Sequence, residues 1–210
     1  MSANLLQRWR ALAGKDGDQL GEALIGAWSA PQRHYHDQSH LLWLLDEAER
    51  RRSLIRDPAF VAYAIWFHDA VYEPGEANNE RLSADWARAA LAHDPQLAAR
   101  VAHVIAMTKN HAEGEAEGDE ALFLDMDIAI LGAPAQTYRA YAAGIRAEYP
   151  RIADPTFAAG RGAFLEKQLD RSRTFRTDVY ESELGDEARA NMRWELEEMR
   201  NGRMVGFGGA

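Results

Sequence analysis

At 210 residues with 47% hydrophobic content, the chain has ample apolar material for a sizeable core, as one large domain or two small ones. The lack of cysteine excludes disulfides, thiolate ligands and cysteine nucleophiles, so any bound metal must be held by nitrogen and oxygen. A formal charge of −9 opposes broad adhesion to extended nucleic acid or acidic lipid, while leaving room for a small phosphorylated partner.

The apolar spacing is overwhelmingly helical. Leu5, Trp9 and Leu12 mark one face of a first helix, and Leu20, Leu24 and Trp28 mark a second. A third begins near Asp37 and runs through "SHLLWLLDEAERRR". Asp57-Pro58, Asp94-Pro95 and Asp154-Pro155 each predict a helix start, because Asp accepts from free first-turn amides and Pro lacks an N–H there.

The helix opened by Asp57-Pro58 carries His68 and Asp69 near its far end and is broken by "EPGEANN". "ERLSADWARAALA" follows, capped by Asn78 or Asn79, and Asp94-Pro95 opens "QLAARVAHVIAMTKN". The acidic, aperiodic "HAEGEAEGDE" predicts an exposed loop. Beyond it come the helix "ALFLDMDIAILG" stopped by Gly132, another from Pro134 to near Pro150, one after Asp154-Pro155, and one over "DEARANMRWELEEMRNG".

With no strand, repeat or linker signal, the expectation is a single all-α domain over residues 1–210, frayed from about residue 203 onward. The apolar runs fall short of the ~20 residues that span a bilayer, and the N-terminus lacks a secretory-signal layout. The expected setting is therefore cytoplasmic, without a membrane partner.

Polar residues inside apolar helices point to chemistry. "AIWFHDAVYEP" sets His68 and Asp69 in an aromatic run, where an unpartnered charge is costly. Neighbouring helical side chains diverge by ~100°, so the pair can address one point only if that point lies off the helix end, as a metal ion would. In "RHYHDQSHLLWLL", His36 and His40 are four apart and share a helical face, and His40 borders the apolar stripe. In "LFLDMDIAILG", Asp125 and Asp127 sit among Leu, Met and Ile, and buried carboxylates are rare unless paired or metal-bound.

A histidine, then His-Asp, then a later aspartate in a helical protein resembles the HD superfamily of metal-dependent phosphohydrolases. The intervals of 28 residues from His40 to His68 and 58 from Asp69 to Asp127 suit that family. The phrases "RHYHDQSH", "WFHDAVY", "NNERLSA", "IAMTKNH", "LDMDIAILG", "IRAEYP", "GRGAFL" and "NMRWELE" are similar to a bacterial subgroup of predicted HD phosphohydrolases and extend the likeness over nearly the whole chain.

The resemblance implies an HD-like helical bundle with His40, His68, Asp69 and Asp127 as metal ligands. Asp127 is preferred to Asp125 because "MDIAIL" resembles the family's ligand segment, and His36 is the rival of His40. Where some HD proteins carry a further histidine for a second metal, this chain has Asn79. The implied cofactor is a divalent ion, with Mn, Fe, Co, Ni, Mg and Zn all compatible with mixed nitrogen and oxygen ligation.

The implied reaction is attack of metal-activated water on a phosphomonoester or small nucleotide, with Asp69 positioning or deprotonating that water. Glu80 is expected to orient water or a ligand, though a helix dipole also favours an acid in a first turn. His111 is expected to bind substrate or act as an acid to the leaving oxygen, or else to be a solvated loop histidine. Arg33, His36, Asn79, Lys109, Arg146 and Arg161 are expected to hold substrate, the arginines through a fork that fits phosphate oxygens. His34, His93 and His103 read as structural. The rival readings are a metal-containing nucleotide sensor without turnover, a di-iron oxygenase, against which Asn79 argues, and a scaffold whose buried charges form salt bridges. Self-association is left open.

Overall fold

This computed structural model describes residues 1–111 and 113–203, which are helical and contain no strand. The helices are α1 (Ser2–Ala13), α2 (Asp18–Ala27), α3 (Gln38–Arg50), α4 (Pro58–Phe67), α5 (Asn79–Ala90), α6 (Pro95–Thr108), α7 (Gly118–Ile128), α8 (Ala135–Glu148), α9 (Asp154–Leu169) and α10 (Asp178–Arg200). Short 3₁₀ turns cover Lys15–Gly17, Arg52–Leu54 and Ala129–Gly132. The chain divides into two compact units, Met1–Met126 and Asp127–Ala210. No helix among the described residues is long and apolar enough to cross a membrane.

In the first unit α4 is the organising element. Its sequence, PAFVAYAIWF, is apolar on every side, so it has no face to show to water. It packs against α3, α5 and α6, and Phe60, Val61 and Tyr63 through Phe67 are all buried. Trp9 of α1 meets Tyr63, Trp66 and Phe67 edge to face at 6.0, 5.2 and 6.2 Å, the geometry that ring quadrupoles favour. The Trp9 indole also donates to the Gly17 carbonyl at 2.8 Å. A side chain at position 21 would bring its Cβ within 2.3 Å of Trp9 Cδ1, so α2 can lie this close only with glycine there.

In the second unit α10 packs against α8, α9 and the turn Ala129–Gly132. Asn191 donates to the Leu131 and Ala133 carbonyls at 2.9 and 2.8 Å, fastening that turn. Tyr138, Leu165, Phe175, Tyr180, Ala188 and Met192 are buried here.

Several boundaries differ from the sequence reading. The Asp57 carboxylate accepts from the Phe60 amide at 3.1 Å and that of Asp94 from Leu97 at 3.0 Å, so both cap as expected. The third such aspartate does not cap: Ala153 precedes α9, and Arg146 takes the Asp154 carboxylate instead. Helix α7 starts at Gly118, three residues inside the segment expected to be loop, with Asp119 bonded to the Arg56 and Asp57 amides. Helix α10 starts at Asp178, well before "DEARAN", with Thr177 as its cap and Gly185 buried mid-helix. Gly132 ends a 3₁₀ turn rather than α7 itself. The "GFGGA" end, expected to fray, lies outside the described residues.

The Asp57 cap also meets Arg100 of α6 at 2.8 Å. Burial opposes ionisation of Asp57, but the Phe60 amide and the Arg100 guanidinium outweigh it and hold the carboxyl below its usual range. A depressed folded-state pKa gives stability that is present above the unfolded value of about 3.9 and lost as pH falls through the folded value. Asp57→Ala should lower unfolding free energy by about 1 kcal/mol at neutral pH. In urea melts its gap to wild type should narrow once pH drops below about 4.

Candidate metal centre

A helix leaves its last carbonyls without intrahelical donors, and those at the end of α4 are buried with the rest of it. Each has a donor. The Ala64 carbonyl takes the His68 amide at 3.0 Å, that of Ile65 takes His68 Nδ1 at 2.9 Å, that of Trp66 takes the Trp28 indole at 3.0 Å, and that of Phe67 takes the Ala70 amide at 3.0 Å. The Arg33 guanidinium continues the series, with Nη2 2.8 Å from the Asp69 carbonyl and 3.4 Å from that of Ala70.

This capping sets the imidazole. With Nδ1–H committed to the Ile65 carbonyl, the lone pair of the neutral His68 ring is on Nε2, which lies 3.4 Å from Asp69 Oδ2. The His68 ring is held by Trp28 at 5.3 Å, His40 at 5.6 Å and Phe123 at 5.7 Å between centroids. His68 terminates α4 and Asp69 lies just beyond it, so the angular divergence of helical neighbours does not separate the two side chains.

His40 comes from the first turn of α3, where Asp37 caps the Ser39 amide at 2.7 Å. One ligand atom from each of His40, His68 and Asp69 can be chosen so that all lie within 4.8 Å of one another. His40 and His68 are buried, and the Asp69 side chain keeps 15% of its exposure. His36 stands at the edge of this set, with Nε2 3.9 Å from Asp69 Oδ2 and its ring stacked 4.4 Å from Tyr72. Tyr35 packs on His40 at 4.9 Å.

Among the described residues the Asp69 carboxylate has no lysine or arginine partner; its ionic neighbours are the two imidazoles. Two imidazole nitrogens and a carboxylate, one imidazole with its Nδ1–H fixed by a backbone carbonyl, form a donor set that fits a divalent cation.

The other expected residues are placed as follows. Asn79 is the first residue of α5, and its amide engages both the N–H and the C=O of Glu73 at 3.1 and 2.8 Å. Glu80 lies 3.9 Å from Lys109 Nζ, and Lys109 also donates to the Ala77 carbonyl. His111 is half-buried in the turn after α6. Arg33 is buried and bonded to backbone carbonyls. Asp125 is fully buried. Asp127, half-buried in the last turn of α7, begins the second unit. The sequence reading missed Trp28, taken only as an apolar face although its indole N–H requires an acceptor, and Ser83, whose hydroxyl meets both the Val71 amide and carbonyl at 3.0 and 3.2 Å.

In the second unit, Arg146 bonds the Asp154 carboxylate and the Tyr149 and Ile152 carbonyls, with Phe157 against its guanidinium. Arg161 forks onto Glu195 at 2.8 and 3.0 Å and donates to the Tyr141 hydroxyl at 3.1 Å, while Tyr138 donates to the same carboxylate. Burial pushes both phenols up, and the negative charge of Glu195 adds to this, so each keeps its proton.

Two outcomes follow from these geometries. Removing one member of a buried pair strands the other, so Glu195→Gln should destabilise the protein by about 3 kcal/mol in chemical denaturation. In cobalt titrations, His40→Ala, His68→Ala and Asp69→Ala should each weaken binding at least roughly tenfold, and His36→Ala should weaken it less. Comparisons with protein-family profiles, curated proteins and solved structures found no match.

Proposed function

We propose that the chain is a metal-dependent phosphohydrolase of the HD type, acting on a phosphomonoester or a small nucleotide. The observation that carries this reading is the convergence of His40, His68 and Asp69, two buried imidazoles and a carboxylate from separate helix ends, on one locus. Their order along the chain and the motifs around them resemble the HD family.

A divalent ion bound there supplies Lewis acidity toward a phosphoryl oxygen and acidifies water near neutral pH. The chain's own groups do the rest. His68 presents Nε2 as a pure acceptor because its other nitrogen is bonded to the Ile65 carbonyl. Asp69 brings negative charge and a lone pair to orient the attacking water. His36, half-exposed beside Asp69, donates to a non-bridging phosphoryl oxygen. Tyr72, stacked on His36, limits the directions from which a substrate approaches.

The test is phosphate release from a panel of phosphomonoesters and nucleotides with added Mn, Co, Ni, Mg or Zn. The wild type should turn over at least one class. His68→Ala and Asp69→Ala should lose about two orders of magnitude or more. Thermal stabilisation by nucleotide at saturating metal with no product would replace this function with that of a sensor.

A further inference from the structure

We propose that Arg33 is a positioning residue: its guanidinium joins the backbone of the histidine segment to the backbone of the His-Asp turn and so sets the spacing of the metal ligands. The inference rests on the metal-centre reading for its purpose but not for its geometry.

Arg33 Nη1 donates to the His36 carbonyl at 2.8 Å and Nη2 to the Asp69 carbonyl at 2.8 Å. One planar, rigid group therefore registers its own histidine segment against the Asp69 carbonyl, 36 residues further along the chain than Arg33. The cation is buried. Its Cζ lies 5.2 Å from the Trp28 ring and 5.2 Å from the Tyr72 ring, so two aromatic π-faces stabilise it. It also stands at the C-terminal end of α4, where the helix dipole favours positive charge.

Bonding carbonyls has a chemical consequence. An arginine on the Asp69 carboxylate would compete with a metal for the same lone pairs, whereas an arginine on the Asp69 carbonyl fixes the residue and leaves its carboxylate available. The same two rings tie the clamp to the ligands: Trp28 packs on His68 and Tyr72 on His36. The chain leaving the turn is held in the same manner, with Ser83 on Val71 and Asn79 on Glu73. Arg33 is the only one of these side chains that also reaches the histidine segment through the His36 carbonyl.

The test compares wild type, Arg33→Lys, Arg33→Ala and, as a control, Arg100→Ala, each verified as folded by circular dichroism. Amide exchange is first followed by NMR in metal-free protein. In Arg33→Lys the amides of Ser39 and Leu41 and those of Ala70 and Val71 should all exchange about tenfold faster or more, while core amides of α1 and α6 keep their rates. Cobalt(II) alone should then bind about ten to a hundredfold more weakly, with an altered ligand-field spectrum. Millimolar guanidinium should restore both properties in Arg33→Ala, and Arg100→Ala should match wild type.

Faster exchange in only one segment, uniform acceleration throughout the unit, or unchanged cobalt affinity and spectrum in a folded Arg33→Lys would each overturn the proposal. If wild-type protein takes up no cobalt, the metal-centre reading falls, and the exchange measurement still decides whether Arg33 joins the two segments.

Discussion

A helix apolar on every side must be buried whole, and its carbonyl end is buried with it. That constraint organises the first unit. The last turn of α4 brings polar oxygens into a hydrophobic setting, where each unmet acceptor costs on the order of 1–3 kcal/mol. The chain meets them with the His68 ring, the Trp28 indole and the Ala70 amide, and the Arg33 guanidinium meets the Asp69 carbonyl just beyond the helix. Chemistry at this end is thus a by-product of folding: the bond that satisfies the Ile65 carbonyl also selects the His68 tautomer able to bind a cation. The core and the candidate site share the His68 side chain, so the two cannot vary independently.

The elements that were legible in the sequence are those whose signal is local. Asp57 and Asp94 cap because a carboxylate three residues ahead of an amide finds it without help from elsewhere in the fold. Asp154 looks identical in sequence but is taken by Arg146, a neighbour that only tertiary structure brings. Helix α10 runs through Gly185 although glycine costs about 1 kcal/mol in a helix interior, because packing of Tyr180, Ala188 and Met192 outweighs that local preference. His40, His68 and Asp69 stood out because polar side chains interrupted apolar patterns. Asp125 did so too, and it is fully buried.

The arginines show why the remainder was not legible. The family likeness and the guanidinium fork suggested phosphate ligands at Arg33, Arg146 and Arg161, yet a sequence does not mark which backbone carbonyls will need a donor. In the structure Arg33 bonds main-chain oxygens, Arg146 bonds a carboxylate together with two carbonyls, and Arg161 forks onto a buried glutamate. Such uses turn a guanidinium from a surface charge into a bracket between segments. Arg161 and Glu195 are 8% and 4% exposed, so their pairing contributes mainly by avoiding the cost of a lone buried charge.

Ser83 and Asn79 each meet the amide and the carbonyl of a single residue, Val71 and Glu73, two positions apart. The N–H and C=O groups of residues two apart are those an adjoining strand would engage in a ladder. Here a helix fills that place with side chains. An intruding β-strand would find these donors and acceptors already engaged, so the turn beside the candidate centre offers no template for the edge-to-edge pairing through which exposed extended chains aggregate.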